Sequence, residues 1–217
     1  MIFAAGLGTR MAPLTEARPK PLIEVAGQTL LHHALRPAQA AGLAPIVVNA
    51  HYKAAQIEAA LAPEPVTVLL EDTLLDTGGG LKNALPALGP GPVFTMNSDA
   101  VWDGPNPFEV LREGWRDGLE ALLLCVPVAR ARGREDIGDF AMDTAGRLRR
   151  GPGVVYTGAQ IIDGAVVAAE PGDVFSFNPL WDAMIARDTL RAALYPGHWC
   201  DVGRPASIAL AEEMVGA

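Results

Sequence analysis

Four short apolar runs, MIFAA, PIVVNA, VTVLL and PVFTMNS, divide the first hundred residues, and a segment with helical spacing lies between each consecutive pair. Strands joined through helices pair in parallel, because the helix carries the chain back to its starting edge, and such a sheet must be covered on both faces. The first helical segment, TLLHHALRPAQAAG, places Leu30, Leu31, Ala34, Leu35 and Ala38 on one face, with Thr29 positioned as N-cap. Pro37 is expected to kink or shorten it. YKAAQIEAALA and TGGGLKNALPAL supply the next two helices, and a fourth is expected from Pro107 in PFEVLREGWRDG, ahead of the long apolar strand LEALLLCVPV. After Arg130 the pattern changes. A charged loop, ARARGREDIGDF, leads into DFAMD, RLRR and GVVYTGAQIID, short segments separated by turn residues as in antiparallel strands. The chain then returns to a helix at NPLWDAMIARD, a strand at TLRAALYP, a compact GHWCDVG and a closing helix PASIALAEEMV with Pro205 in its first turn. The expected class is α/β: one domain, 1–217, with a mixed, mostly parallel sheet flanked by helices and a small β-rich insertion.

Composition narrows the function. Half of the 217 residues are hydrophobic and 19% are charged, enough to bury a core without disulfides or a structural metal. The net charge of −8 gives no broad attraction to nucleic acid or an anionic membrane, so neither is an expected partner and any phosphate chemistry must be local. Cys125 and Cys200 have neither CxxC spacing nor a histidine partner, which fits reduced thiols in a cytoplasmic protein. No apolar stretch reaches the roughly 18–20 residues a membrane span needs, and no basic region precedes the first apolar run.

The opening stretch, MIFAAGLGTRMAPLTEARPKPL, carries the chemistry. A strand running into Ala5, Gly6, Gly8 and Thr9 can present successive backbone N–H groups to a phosphate with no side chain intervening, and Arg10 and Lys20 add charge. The same glycines also suit a tight βα turn with solvated cations. Two familiar phosphate motifs are excluded by residue. Met11 stands where a dinucleotide fingerprint wants glycine or alanine, Asn49-Ala50-His51 stands where it wants an acidic residue, and no Gly-Lys pair exists for a Walker loop.

AAGLGTRMAPLTEARPKPLIEVAGQTLL closely resembles the signature of the sugar-phosphate nucleotidyltransferases, the nucleoside-diphosphate-sugar pyrophosphorylases: a strand, GxGTRM/L, then PKPL with its lysine ten positions after the arginine, then an apolar helix. IVVNAHY, DTGGGLKNAL, FTMNSDAVW and GHWCDVGRP resemble later family blocks in the family's order. Within the family, TGGG, NSDAVW and HWCDVG are most similar to the branch that joins UTP to N-acetylmuramate 1-phosphate, and the mannose-1-phosphate guanylyl branch comes next. The resemblance implies the Rossmann-like nucleotide-diphospho-sugar transferase fold, with 1–128 mainly nucleotide-binding, 129–200 mainly sugar-binding and 201–217 carrying a metal residue and the closing helix. It also implies an NTP and a sugar 1-phosphate as substrates, an NDP-sugar and pyrophosphate as products, and Mg²⁺ as cofactor. A non-catalytic sensor on the same fold is the alternative of another class.

Joining two phosphate esters demands cations, because an oxyanion must approach a phosphorus already surrounded by negative charge. The resemblance assigns Arg10 to the triphosphate and leaving pyrophosphate, for which a planar fork is suited, and Lys20, held between Pro19 and Pro21, to the α-phosphate and the incoming sugar phosphate. Asp99 closes an expected buried strand, where open α/β sheets bind ligands, and with Asp201 would hold Mg²⁺ through hard oxygens; each aspartate alone also suits a turn or helix N-cap. Gly78, Gly79 and Gly80 are expected to let backbone approach the base, with Glu71, Asp72 and Thr77 at its edge and Asn49 and His51 nearby. Asp139, Thr157, Gly158 and Trp199 are the expected sugar contacts, and GREDIGDF departs from the pattern of the glucose branch.

Overall fold

The computed structural model describes residues 1–135 and 137–216; Asp136, in the charged loop, and Ala217 lie outside it. Among the described residues nine strands form the central sheet: β1 (Ile2–Phe3), β2 (Val47–Ala50), β3 (Thr67–Leu70), β4 (Pro92–Asn97), β5 (Ala121–Pro127), β6 (Phe140–Met142), β7 (Leu148–Arg150), β8 (Val154–Asp163) and β9 (Leu190–Leu194). β3, β2, β1 and β4 lie side by side and parallel, as the helical crossovers require. β8 follows, antiparallel to both β4 and β5, and β9 closes the far edge parallel to β5. The mixed, mostly parallel α/β sheet is therefore as expected.

Strand order 3-2-1-4 reverses direction between β1 and β4, and a reversal of this kind opens a crevice at the carboxyl ends of the two strands. The loops after β1, β2 and β4 all emerge there.

Alternation along each strand divides the core into two layers. One face packs Ile2, Val48, Met96 and Leu122 against α1 (Leu30–Ala40), α2 (Ala54–Leu61) and, beyond the third helix, α4 (Pro107–Gly114). The opposite face packs Val47, Val93, Leu123 and Ile162 against α3 (Asp76–Leu88), α5 (Gly164–Ala169) and α6 (Asn178–Arg187). A third, smaller cluster, with Met11, Ile23, Val101 and Ala211, sits under α7 (Ala206–Val215). Fully buried Leu31 and Leu35 each contribute about 1.5–3 kcal/mol through removal of apolar surface from water.

Thr29 caps α1 as expected, accepting from the backbone N–H of His32 at 3.3 Å. The expected shortening at Pro37 does not occur: α1 runs through to Ala40. Buried Ala34, Leu35 and Ala38 hold the turns on both sides, and the Pro37 carbonyl is anchored by Asn106 Nδ2 at 2.8 Å, so packing outweighs the missing amide.

The β-rich portion after Arg130 is not a detached insertion. β6 and β7 form an antiparallel hairpin that joins the first residue of β8, while Ala159–Asp163 of the same strand pair with β4 in the middle of the sheet. Ten residues let β8 overhang β4 and carry the hairpin. Local pattern also missed α5, a two-residue hairpin of Glu24–Val25 with Gln28–Thr29, and a rim sheet in which His198–Asp201 pairs with Ala100–Asp103 and Ala131–Arg132. Among the described residues no helix is long and apolar enough to cross a membrane.

Candidate functional site

The segment leaving β1 does not run into a helix, as a βα turn would. Thr9–Met11, Leu14–Glu16 and Lys20–Leu22 form three successive 3₁₀ turns, so no helix dipole is available here and the charge must come from side chains. Gly8 shows why glycine is needed. Its φ of 65° is left-handed, and a Cβ there would come within 2.8 Å of Lys20 Cβ and 3.0 Å of Thr15 Cγ2. The loop is thus folded directly against Lys20. Pro19 is extended, Pro21 follows in the 3₁₀ turn, and the Lys20 side chain, only 11% exposed, donates from Nζ to Asp99 Oδ2 at 2.9 Å.

Asp99 follows β4 at the crevice. Asp201 reaches it through the rim sheet, where Asp201 stands opposite Ala100 and the Val202 amide donates to the Asp99 carbonyl at 2.8 Å. A Cβ at Gly203 would lie 3.1 Å from both Asp201 carboxylate oxygens and 3.2 Å from an Arg10 guanidinium nitrogen, which places these two groups around one point. The Asp201 carboxyl is pushed above the ordinary aspartate range, first by burial and then by repulsion from Asp99, with Lys20, Arg10 and Arg134 opposing. Two facing carboxylates that gain from a cation between them fit a divalent ion held through hard oxygens.

Two adjoining hollows meet at these residues. The first, about 540 Å³, is lined by Ala5, Gly6, Gly8, Thr9 and Lys20, the second, about 930 Å³, by Asp139, Tyr156, Thr157, Gly158 and Trp199, and Arg10, Thr77, Asn97 and Asp99 border both. Asp201 lies in the second. The four side chains expected to carry the chemistry therefore line one continuous depression at the carboxyl ends of β1 and β4.

The glycine run is placed differently from its expected role at the base. Gly78, Gly79 and Gly80 are buried in the first turns of α3 and do not line either hollow. A Cβ at Gly79 would come 2.0 Å from the Asp173 carbonyl oxygen and one at Gly78 2.4 Å from the Phe175 ring, so these glycines admit the 173–175 backbone onto the helix. Gly79 N–H donates to the Phe175 carbonyl at 3.0 Å, and Val174 of that segment lines the first hollow. Gly79→Ala is expected to lose about 1–3 kcal/mol through overpacking, a fall in melting midpoint of about 2–4 °C per kcal/mol in calorimetry; an unchanged midpoint would separate the glycine from this packing.

Asp72 is exposed and outside the hollows, whereas Glu71 and Thr77 line them. Asn49 ties the site together: its Oδ1 accepts from the Ala4 amide at 2.8 Å and its Nδ2 donates to Glu71 Oε1 at 2.7 Å. The His51 ring nitrogen Nδ1 meets the Glu71 carbonyl at 2.7 Å, a structural bond.

On the second side β8 carries a bulge. Its register against β5 shifts between Tyr156 and Gln160, and within it Gly158 takes a φ of 86° with Asn97 too close for any Cβ. The bulge brings Thr157 and Gly158 to the border of the hollow, with the Thr157 hydroxyl turned inward to donate to the Leu124 carbonyl at 2.7 Å. Trp199 is fixed by donation from Nε1 to the Thr157 carbonyl at 3.1 Å, and Asp139 accepts from the Tyr156 amide at 2.9 Å and from Arg134 at 3.1 Å. Sequence reasoning missed Tyr156, Ser176, Asn178, Trp181 and Arg204, which share this lining. Trp181 in α6 reads as ordinary core, and it is buried; only the position of α6 beside β8 brings it to the border of the hollow. Cys125 and Cys200 are buried, and burial raises both thiols, Cys200 to about 11, so neither is a nucleophile.

Residues 1–195 match the MobA-like NTP transferase domain. The chain is 36% identical to the N-acetylmuramate alpha-1-phosphate uridylyltransferase of Caulobacter vibrioides over 98% of this chain and 94% of that protein. It is 28% identical to the mannose-1-phosphate guanyltransferase of Hypocrea jecorina over 94% of this chain and 60% of that one. The crystal structure of HddC from Yersinia pseudotuberculosis complexed with GMP-PN superposes with a TM-score of 0.78 at 24% identity, covering 98% of this chain and 96% of that one, a likeness of fold.

Proposed function

Since the chain belongs to the MobA-like NTP transferase domain family, we propose that it joins an NTP to a sugar 1-phosphate, releasing pyrophosphate, with UTP and N-acetylmuramate 1-phosphate as the pair. The observation that carries the reaction is the meeting of Arg10, Lys20, Asp99 and Asp201 where two hollows adjoin. One hollow takes the nucleotide, the other the sugar phosphate. The choice of pair rests on similarity across nearly the full length of both chains to the uridylyltransferase.

An oxygen of the sugar phosphate attacks the α-phosphorus; the new P–O bond forms as the bond to the β-phosphate oxygen breaks, and the electron pair leaves with pyrophosphate. Arg10 borders both hollows, so its fork stands where the triphosphate and the sugar phosphate meet and is suited to hold the triphosphate and the departing pyrophosphate. Lys20 offers a compact charge held rigidly by its flanking prolines. The loop amides of Gly6 to Thr9 face the phosphates, and Asn49 holds that loop in place through Ala4. Asp99 and Asp201 would hold Mg²⁺, which when bound spreads the negative charge of the phosphate oxygens. Two buried thiols suit a reducing, cytoplasmic setting.

A pyrophosphate-release assay crossing the four NTPs with the 1-phosphates of N-acetylmuramate, mannose, glucose and N-acetylglucosamine tests the reading. The highest kcat/KM is expected for UTP with N-acetylmuramate 1-phosphate. GTP with mannose 1-phosphate as the best pair would replace the substrates and keep the reaction. Tight binding of both substrates without any pyrophosphate release would make the protein a sensor.

A further inference from the structure

A lysine on a helix surface ordinarily leaves its ammonium in water. Lys82 of α3 turns it instead onto a segment remote in sequence, and its side chain is only 27% exposed. Nζ donates to the Glu170 carbonyl at 2.9 Å and to the Gly172 carbonyl at 2.8 Å, 88 and 90 residues further on, and stands 3.7 Å from Asp173 Oδ1. Asp173 is 89% exposed, so water screens that ion pair and the two carbonyls are the firm contacts. An ammonium with three rotatable donors can serve two carbonyls of one bend at once.

The held segment, from Glu170 to Phe177, is neither helix nor strand and takes its position from α3. Its second half is bonded to the start of that helix. The Phe175 amide donates to the Leu75 carbonyl at 3.2 Å, the Gly79 amide donates to the Phe175 carbonyl at 3.0 Å, and the Phe177 amide donates to Thr77 Oγ1 at 3.2 Å. Its first half is held by Lys82, about one turn further along. Val174 stands between the two anchorages. It is 64% exposed and lines the first hollow together with Leu74, itself 38% exposed. Open aliphatic side chains on the border of a hollow otherwise rich in polar groups are apolar surface for a ligand to cover.

We infer that Lys82 is a positioning residue for the NTP. Through the Glu170 and Gly172 carbonyls its ammonium keeps Val174 at the border of the first hollow, where the valine covers the nucleobase while Arg10 and Lys20 hold the phosphates. A segment released from the ammonium keeps Val174 in place for part of the time, and the apparent affinity for NTP falls by that fraction. The sugar side is spared, because Phe177 and Asn178 take their position from Thr77 and from α6. The inference rests on the transferase reading for the identity of the ligand, and on the contacts of Lys82 for the residues.

The test uses Lys82→Met, which keeps the stem and the helix propensity but removes the donor, Val174→Ala, which removes the contact, and the double variant. Lys82→Met is expected to raise the KM for NTP roughly fivefold, with kcat and the KM for the sugar 1-phosphate within about twofold of wild type. Val174→Ala should do the same, and the double variant should lie within about twofold of either single one. Lys82→Arg, which still donates to both carbonyls, should restore the wild-type KM, and Asp173→Asn should leave it unchanged. Equal rises in both KM values, no rescue by Lys82→Arg, the full loss in Asp173→Asn, or multiplying effects in the double variant would overturn the proposal. Should Lys82→Met fail to fold, an unchanged NTP KM in Val174→Ala overturns it equally. If the wild-type protein turns over no substrate pair, the transferase reading fails separately. The same fivefold loss is then sought in the calorimetric Kd of UTP with Mg²⁺, and its absence overturns the positioning role.

Discussion

Lys20→Ala is expected to reduce pyrophosphate release by about 10²- to 10³-fold while the protein stays folded. The size follows from the loss of a preorganised charge at phosphates that must be brought together, where removal of one stabilising group costs about 3–4 kcal/mol. The fold should survive, because the backbone is held without the side chain: Pro19 and Pro21 restrict it, and the Ile23 amide donates to the Lys20 carbonyl at 3.0 Å. Loss of the ammonium leaves Asp99 without the partner now 2.9 Å away, but that carboxylate is partly exposed and water replaces the bond. Lys20→Arg should not restore activity, since the Gly8 backbone is folded against the root of the side chain and the planar fork needs more room than an ammonium. Steady-state rates with a thermal melt as control decide it. Activity within tenfold of wild type would remove Lys20 from the mechanism.

Asp201→Asn is expected to lose activity by a similar factor and yet melt higher than the wild type at pH 7 in metal-free buffer. The folded carboxyl is raised above its ordinary value by burial and by repulsion from Asp99, so ionising it disfavours the folded state. For a group raised on folding, the associated stability is full below the ordinary aspartate value near 4 and is lost as pH rises through the folded value. At pH 7 the wild type carries that penalty and the amide does not. The gap in melting midpoint should therefore shrink as pH falls below about 4. Added Mg²⁺ should raise the wild-type midpoint more than that of the variant, because a ligand stabilises in proportion to its affinity for the folded state. Equal melting at pH 7, with equal response to Mg²⁺, would show that the two carboxylates do not share a cation.

The site was partly legible before folding because some residues act through properties of their own neighbours in sequence. The opening glycines announce a backbone that must turn without side chains, and Gly8 does so at φ 65°. PKP announces a lysine on a constrained backbone. The glycine run at 78–80 illustrates the opposite case. Glycine signals close approach without saying by what: Gly78 and Gly79 meet the 173–175 segment, remote in sequence, and Gly80 meets the Glu71 and Asn49 side chains. Asp72 and Glu71 are adjacent acids with no local difference, yet the turn after β3 buries one beside Asn49 and leaves the other in solvent.

Hydrophobic alternation and the helices between the strands determined by themselves that this chain builds a parallel α/β sheet with its loops at one end, because each periodicity is a property of a few consecutive residues. The tertiary structure alone decided that β8 enters the sheet antiparallel, that its bulge brings Thr157 and Gly158 to the border of the second hollow, and that Gln160 meets Trp181. It also decided that Lys20 meets Asp99 across 79 residues and that Asp201 arrives beside them by a rim strand. These are pairings between distant segments, fixed when strands choose neighbours and register, and no local pattern encodes which carboxylate will face which cation.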